Sequence, residues 1–430
     1  MRMPWQTKPV KMTDVFTIGV PHRNYVQRPE LEKRLIHEAE RKDAIVCVSG
    51  PSKAGKSVLV KKILPKLKII GGQIDLSMAD LWPHLCRRLG ISLSSKNTSS
   101  QSSAFGTNTG PLSANMRASS ATEKQFDLDP KSAFLNYVRE TGGIIIDDFH
   151  YFSRDAQAAL LQAFKEMLLE ANVVIVIIIT HYGQDQPALA ERDLTGRVKY
   201  VRLPDWSMQE LVEILKEGFA ALNLRAAPEE SEALVSIAFG SPLIVQELGS
   251  SACRRADVQE RVRKPTDMTL SKPEQLIKDA IKEGTIAGDA PTFLKLIVGR
   301  NPTRERTPYV IDGQRGDVYF LIFYALKQAF PLTTGIPFED LVKWIRDHAT
   351  ADGGEKPPQG AQIDSALKGL RKTSEEIVEE AQKNNKSREL PIEYEGAEGT
   401  RTLIVNDPFL KIFVKYANWE EGYRQLGRAK

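Results

Sequence analysis

Residues 50–57, Gly50-Pro51-Ser52-Lys53-Ala54-Gly55-Lys56-Ser57, follow the pattern G-x-x-x-x-G-K-[ST]. In a loop of that spacing the backbone N–H groups, through Val58, and the start of the next helix converge on phosphate oxygens. Lys56 is then expected to neutralise β- and γ-phosphate oxygens, and the Ser57 hydroxyl to ligate Mg²⁺. The competing reading is a chance match on a surface turn. Context decides: DAIVCVSG before it is a short apolar run suited to a buried strand, and a helix over about 55–64 follows.

A phosphate cradle calls for a carboxylate at the tip of a neighbouring buried strand. IIIDDFH (144–150) supplies two. Asp147 is expected in the Mg²⁺ shell, and Asp148 is placed to orient an attacking water. Without the cradle the pair would read as an exposed turn. The next apolar strand ends at Thr180 and His181. Thr180, or else His181, is a candidate for a hydrogen bond to the γ-phosphate or the water; a plain strand-end cap competes with that role. Arg192 and Arg197 follow, and either could stabilise transferred charge, Arg197 most usefully from a neighbouring subunit.

These residues need a scaffold. Strands at 43–50, 67–76, 142–148, 172–180 and 197–204, the last a short edge strand, alternate with helices at 26–41, 79–91 and 153–171. The second of those helices is expected to be interrupted by Pro83. The alternation predicts an α/β fold with a parallel, doubly wound sheet. Helices at 207–223, 228–239 and 243–255 suggest a lid. Helices at 317–347 and 361–381, then two strands within 390–413, suggest a winged helix-turn-helix. The expected division is a nucleotide-binding domain over 1–203, a helical lid over 204–256, a connector over 257–315 and a winged-helix domain over 316–430. Residues 92–125 are dominated by Ser, Thr, Asn and Gly and read as a mobile insertion, either a bare surface loop or a partner-binding one.

The 430 residues have ordinary globular composition, 41% hydrophobic and 27% charged. Three scattered cysteines define neither a disulfide framework nor a zinc site, so a reducing cytoplasm is expected. There is no segment of signal-peptide character at the start, and the run Val173–Ile179 is too short to span a bilayer. No membrane partner is expected. Net charge is +4, but residues 1–130 hold 20 Lys and Arg against 11 Asp and Glu, whereas 305–430 hold 18 against 20. The basic excess sits at the front, where a polyanion would be held.

Taken in order, the phosphate loop, the strand ending in two aspartates, the strand ending in Thr180, the late arginine and the helical lid resemble the AAA+/STAND group of P-loop ATPases. YVQRPELEKRL (25–35) is similar to the box that packs beside adenine in AAA+ proteins, with Gln27 where glycine is usual; this implies Val26 near the base. GSPLIVQ (240–246) resembles the STAND lid motif, which implies Pro242 near the base or ribose. The resemblance implies ATP and Mg²⁺ as ligands. Asp148 stands where many such proteins have the longer Glu, which implies a slow hydrolase. GRVKYVRLPDWSMQELVEIL (196–215) is similar to ATPases that regulate DNA transposition and to initiator-type AAA+ proteins. IVNDPFLKIFVKYANW (404–419) resembles the end of winged-helix domains in STAND-like ATPases.

Three readings follow. The first is a slowly hydrolysing ATP switch that forms homo-oligomers and gates a separate effector protein in bacterial defence or signalling. The second is a DNA-associated AAA+ ATPase regulating transposition or replication. The third is a scaffold whose nucleotide site is only structural; the water-positioning Asp148 speaks against it. The G-x-P lid and the acidic C-terminal third favour the first.

Overall fold

The structure is a computed structural model describing residues 9–17, 19, 23–51, 53–71, 78–91, 129–180, 196–283, 290–299, 306–354, 356–383, 390–396 and 399–425. The first half is a five-stranded sheet with helices on both sides. Its elements are α1 (Met12–Val15), α2 (Pro29–Arg41), β1 (Ile45–Gly50), α3 (Lys56–Ile63), β2 (Ile69–Gly71), α4 (Met78–Leu89), α5 (Pro130–Thr141), β3 (Gly143–Asp147), α6 (Arg154–Glu170), β4 (Val174–Thr180) and β5 (Val198–Arg202). The strand order is β2-β3-β4-β1-β5, and every pairing is parallel. The fold class is therefore the α/β, parallel-sheet class expected. The insertion expected at 92–125 lies outside the described residues.

The central strands are buried almost continuously, and successive side chains alternate between the two covered faces of the sheet. Ile45, Cys47, Ile144, Ile146, Ile175 and Ile177 pack with α4, α5 and α6 on one face. Val46, Val48, Ile145, Val176 and Ile178 pack with α2 and α3 on the other. Near-continuous β-branched runs are what such strands require, which explains their legibility. Pro83 does not interrupt α4, contrary to expectation. Leu81, Leu85 and Cys86 around it are fully buried against the sheet, and that packing outweighs the one backbone hydrogen bond the proline removes.

Helices α7 (Met208–Ala221), α8 (Pro228–Ser236), α9 (Pro242–Arg255) and α10 (Pro273–Lys282) follow, with short strands β6 (Leu224–Arg225) and β7 (Thr266–Asp267) paired between them. Ser207 and Glu210 form a reciprocal capping box that starts α7. These helices share a core that also holds Val10, Met12, Val15 and Phe16 from the front of the chain and Leu276, Ile277 and Ala280 of α10. The stretch read as connector thus carries packed helices.

The last part comprises α11 (Ala290–Val298), β8 (Tyr309–Ile311), β9 (Gln314–Gly316), α12 (Val318–Gln328), β10 (Ile336–Pro337), α13 (Phe338–His348), β11 (Ala349–Ala351), α14 (Gly360–Lys383), β12 (Ile392–Glu395), β13 (Thr402–Val405), α15 (Pro408–Tyr416) and α16 (Trp419–Gln425). One three-stranded antiparallel sheet has the order β10-β13-β12, and a second has β11-β8-β9. Phe293 of α11, Phe320 and Phe323 of α12, Leu367 of α14 and Trp419 of α16 lie in its core. Ile412 of α15 instead enters the core of the preceding helices, tying the two parts together.

Candidate functional site

β1, running parallel to its neighbours, delivers Gly50 to the sheet edge where β3 delivers Asp147 and β4 delivers Thr180; Gly50 stands opposite Thr180 in register. Gly50 is needed for closeness: a Cβ there would come within 2.9 Å of the Leu203 Cβ. Gly55, at φ +89°, turns the chain into α3 in a conformation that disfavours side chains. No side chain caps α3, so its first-turn N–H groups are offered to a ligand.

A cavity of about 450 Å³ opens at this edge, lined by Lys53 through Leu59 and by Asp147 and Asp148. Val26 and Pro242, the residues the resemblance places beside the base, line it too. The Lys56 ammonium donates to the carbonyls of Gly50 (3.1 Å) and Pro51 (2.7 Å), which holds it inside the loop. Asp147 Oδ1 accepts the Asp148 N–H at 2.9 Å, and Asp148 is left-handed at φ +53°. Ser52, His181 and Arg192 lie outside the described residues.

The residues fit a magnesium nucleotide. Ser57 and Asp147 line one cavity and offer hydroxyl and carboxylate oxygens, the donors Mg²⁺ takes alongside phosphate and water. Among the described residues no group of three or more His, Cys, Asp or Glu could hold a metal by itself, so phosphate oxygens and water would complete the shell. Bound there, Mg²⁺ would spread the charge that develops on the phosphates.

Thr180 is placed at the tip of β4, 8% exposed, with its Oγ1 3.3 Å from His150 Nε2. Burial pushes the His150 pKa down to about 4, with the Lys56 charge adding to the shift, so the ring beside Thr180 is neutral at pH 7. Arg197 stands elsewhere. Its carbonyl accepts the Ile45 N–H at the opposite end of β1 from Gly50, about 16 Å away at strand rise. Within one chain the structure does not bring Arg197 to the cradle.

Three contributors escaped the sequence reading. Arg28 donates to Glu210 (2.9 Å) and to the carbonyls of Pro204 and Asp205, and lies 4.7 Å over the Trp206 ring. Trp206 Nε1 in turn donates to the Ala54 carbonyl at 2.9 Å. The front of the chain, the phosphate loop and the start of α7 are thereby stapled together. The third is Asp407. It lines the same cavity, and its carboxylate sits 3.0 Å from the Lys53 ammonium, which also lies 4.4 Å over Phe409. The same carboxylate accepts from the Phe409 N–H at 2.8 Å, capping α15. Only one signal in the sequence touched it, the Asp-Pro pair that starts a helix.

No family model matches the sequence, and no curated protein matches it. Among solved structures the chain is similar to a Walker-type ATPase of Pyrococcus abyssi, at 16% identity, covering 93% of this chain and 99% of that one with a TM-score of 0.48. It is similar to Cdc6p from Pyrobaculum aerophilum, at 14% identity, covering 98% and 100% with a TM-score of 0.40. A signal transduction ATPase with numerous domains and a tetratricopeptide repeat sensor, from Pyrococcus horikoshii, shares 15% identity; the match covers 95% of this chain but 45% of that one, with a TM-score of 0.36. No helix among the described residues is long and apolar enough to cross a membrane.

Proposed function

We propose that the chain binds ATP with Mg²⁺, hydrolyses it slowly and uses the nucleotide to control its C-terminal part. The observation that carries this is the shared cavity: the phosphate loop, Asp147 and Asp148 line it, and so does Asp407 from more than 300 residues further on. Lys56 and the start of α3 bind phosphate, Ser57 and Asp147 hold the metal, and Asp148 orients water. Thr180 stands next to that row with its hydroxyl set by His150. The order α12-β10-α13-β11-α14-β12-β13, with β10, β13 and β12 in one three-stranded antiparallel sheet, supports a winged-helix reading of the C-terminal part.

On this reading release of Asp407 from Lys53 frees the C-terminal part to meet another copy of the chain and a separate effector protein, in defence or signalling. Arg197, remote from its own cradle, then serves the site of a neighbour in the oligomer. The basic excess of residues 1–130 supports DNA association as the second reading.

Lys56→Ala is expected to abolish ATP binding, and Asp148→Asn to keep binding while losing turnover. Mixing Asp148→Asn with Arg197→Ala subunits should restore hydrolysis in shared sites. Full ATP affinity in Lys56→Ala refutes the cradle; no rescue, with a monomeric ATP-bound state, refutes the shared site.

A further inference from the structure

Two amides are buried in the cavity wall that α7 and α9 help to form. Asn24 is 1% exposed and Gln246 is 7% exposed, and both line the cavity. Their surroundings are apolar: Val26, Ile214, Pro242 and Leu243 share that wall. A hydrophobic pair would fill this volume without desolvation cost, so the amides call for a reason.

Their hydrogen bonding supplies it. Asn24 Nδ2 donates to Gln246 Oε1 at 2.8 Å. That bond fixes the two amides relative to each other, because flipping either one alone would set donor against donor or acceptor against acceptor. In this arrangement Asn24 keeps its Oδ1 acceptor and a second N–H, and Gln246 keeps its Nε2 donors. Asn24 Oδ1 is buried and has no hydrogen-bond partner among the described residues. A buried, unpaired acceptor is costly and is expected to meet a donor when the cavity fills.

We infer that Asn24 and Gln246 read the amino edge of adenine and make this site select adenine over guanine nucleotides. This rests on the cavity being the nucleotide site proposed above. Adenine presents its N6 amino group as donor beside a ring-nitrogen acceptor, the complement of Asn24 Oδ1 and Gln246 Nε2. Guanine presents O6 in place of the amino group, which would set one acceptor against another. Cytosine shares the donor–acceptor order of adenine but is a single ring, with less surface for Val26, Ile214 and Pro242 to cover.

The test is equilibrium competition among unlabelled ATP, GTP and CTP with Mg²⁺ on the full chain. Wild type should favour ATP over GTP and CTP by about 10- to 100-fold, the range of one good two-point base contact. Asn24→Leu, close in shape, should lower ATP affinity, leave GTP affinity no weaker because the opposed acceptor is gone, and so level the ratio. Equal affinity of wild type for ATP and GTP, both lost in Lys56→Ala, would overturn the inference while leaving the nucleotide site intact. CTP binding as tight as ATP would overturn the adenine assignment. No nucleotide bound at millimolar concentration would remove the site and the inference together. The wild-type comparison needs no variant, so misfolding of Asn24→Leu would not shelter the claim.

Discussion

Replacing Asp407 by Asn should tighten ATP binding. The carboxylate lines the cavity that phosphates are to enter, and it holds Lys53 at 3.0 Å. Asn keeps an oxygen that can accept from the Phe409 N–H, so the α15 cap survives while the charge goes. The side chains of Lys53 and Asp407 are 29% and 13% exposed, between a surface pair and a buried one. Surface pairs contribute about 0–1 kcal/mol, and removing one partner of a buried pair costs about 3–5. Discounting for the exposed lysine leaves about 1–2 kcal/mol, or about 5- to 30-fold in affinity. Calorimetric titration with ATP at two salt concentrations measures it. The gain should shrink at high salt, because the pair reaches solvent. Lys53→Met should show no such gain, since it removes a phosphate-facing cation along with the pair. Unchanged ATP affinity in Asp407→Asn, with thermal unfolding also unchanged, would refute the competition between Asp407 and nucleotide.

His150 should make stability fall with acid. Its folded pKa is about 4 against 6.5 for the free ring, so the unfolded chain binds more protons between those values, and stability drops as pH falls from about 6.5 to about 4. The loss is on the order of 2–3 kcal/mol after allowing for solvent at the ring edge, and urea unfolding of wild type and His150→Asn across that window should differ by it; parallel profiles would contradict the burial argument. In the C-terminal part, Lys368 and Arg401 both bond Asp364, and Arg371 bonds Glu375. Lys368→Ala with Arg371→Ala should therefore leave any DNA affinity of the full chain, and its salt slope, unchanged; a slope reduced by about one per substitution would favour the DNA-regulator reading.

Legibility followed the range of the interactions. That residues 53–57 and Asp147 line one cavity could be anticipated because the pattern is local: eight contiguous residues, and a carboxylate ending an isoleucine run. The parallel strands were legible because burial on both faces leaves an apolar run in the chain. Pro83 misled because a local propensity yielded to packing of Leu81, Leu85 and Cys86, which only the folded sheet supplies. Asp407, Asn24 and Gln246 were silent for a different reason. An aspartate before a proline marks a helix start and nothing more, and neither an amide in the loop before α2 nor one in α9 has a spacing signal; their roles come from partners hundreds of residues away, as Asn24 and Gln246 show. Trp206 became a site residue only through its bond to the Ala54 carbonyl.

The same long-range contacts decide how nucleotide could act at a distance. A ligand shifts a conformational equilibrium only by its difference in affinity for the two states. A cradle confined to α3 and β3 would have none to offer the C-terminal part. Here the cavity is walled by Val26 from the front of the chain, by Trp206, Pro242 and Gln246 around α7 and α9, and by Asp407 at the head of α15. Two of these walls contact the phosphate loop directly, Trp206 at the Ala54 carbonyl and Asp407 at the Lys53 ammonium. Asp407 is the most exposed to change, because its partner Lys53 belongs to the phosphate loop itself. Lys411, one turn further along α15, is 8% exposed, and burial lowers its pKa against the opposing pull of Asp407 and Asp205. Moving Asp407 away would leave that lysine with Asp205 alone, a buried cation short of one counter-charge. Release of the latch is thus unfavourable at two points, and phosphate at Lys53 offsets only one of them. On the proposed reading the C-terminal part should then move as a unit with α15 or not at all, and the Asp407–Lys53 pair would be the place where a two-state response to nucleotide is set.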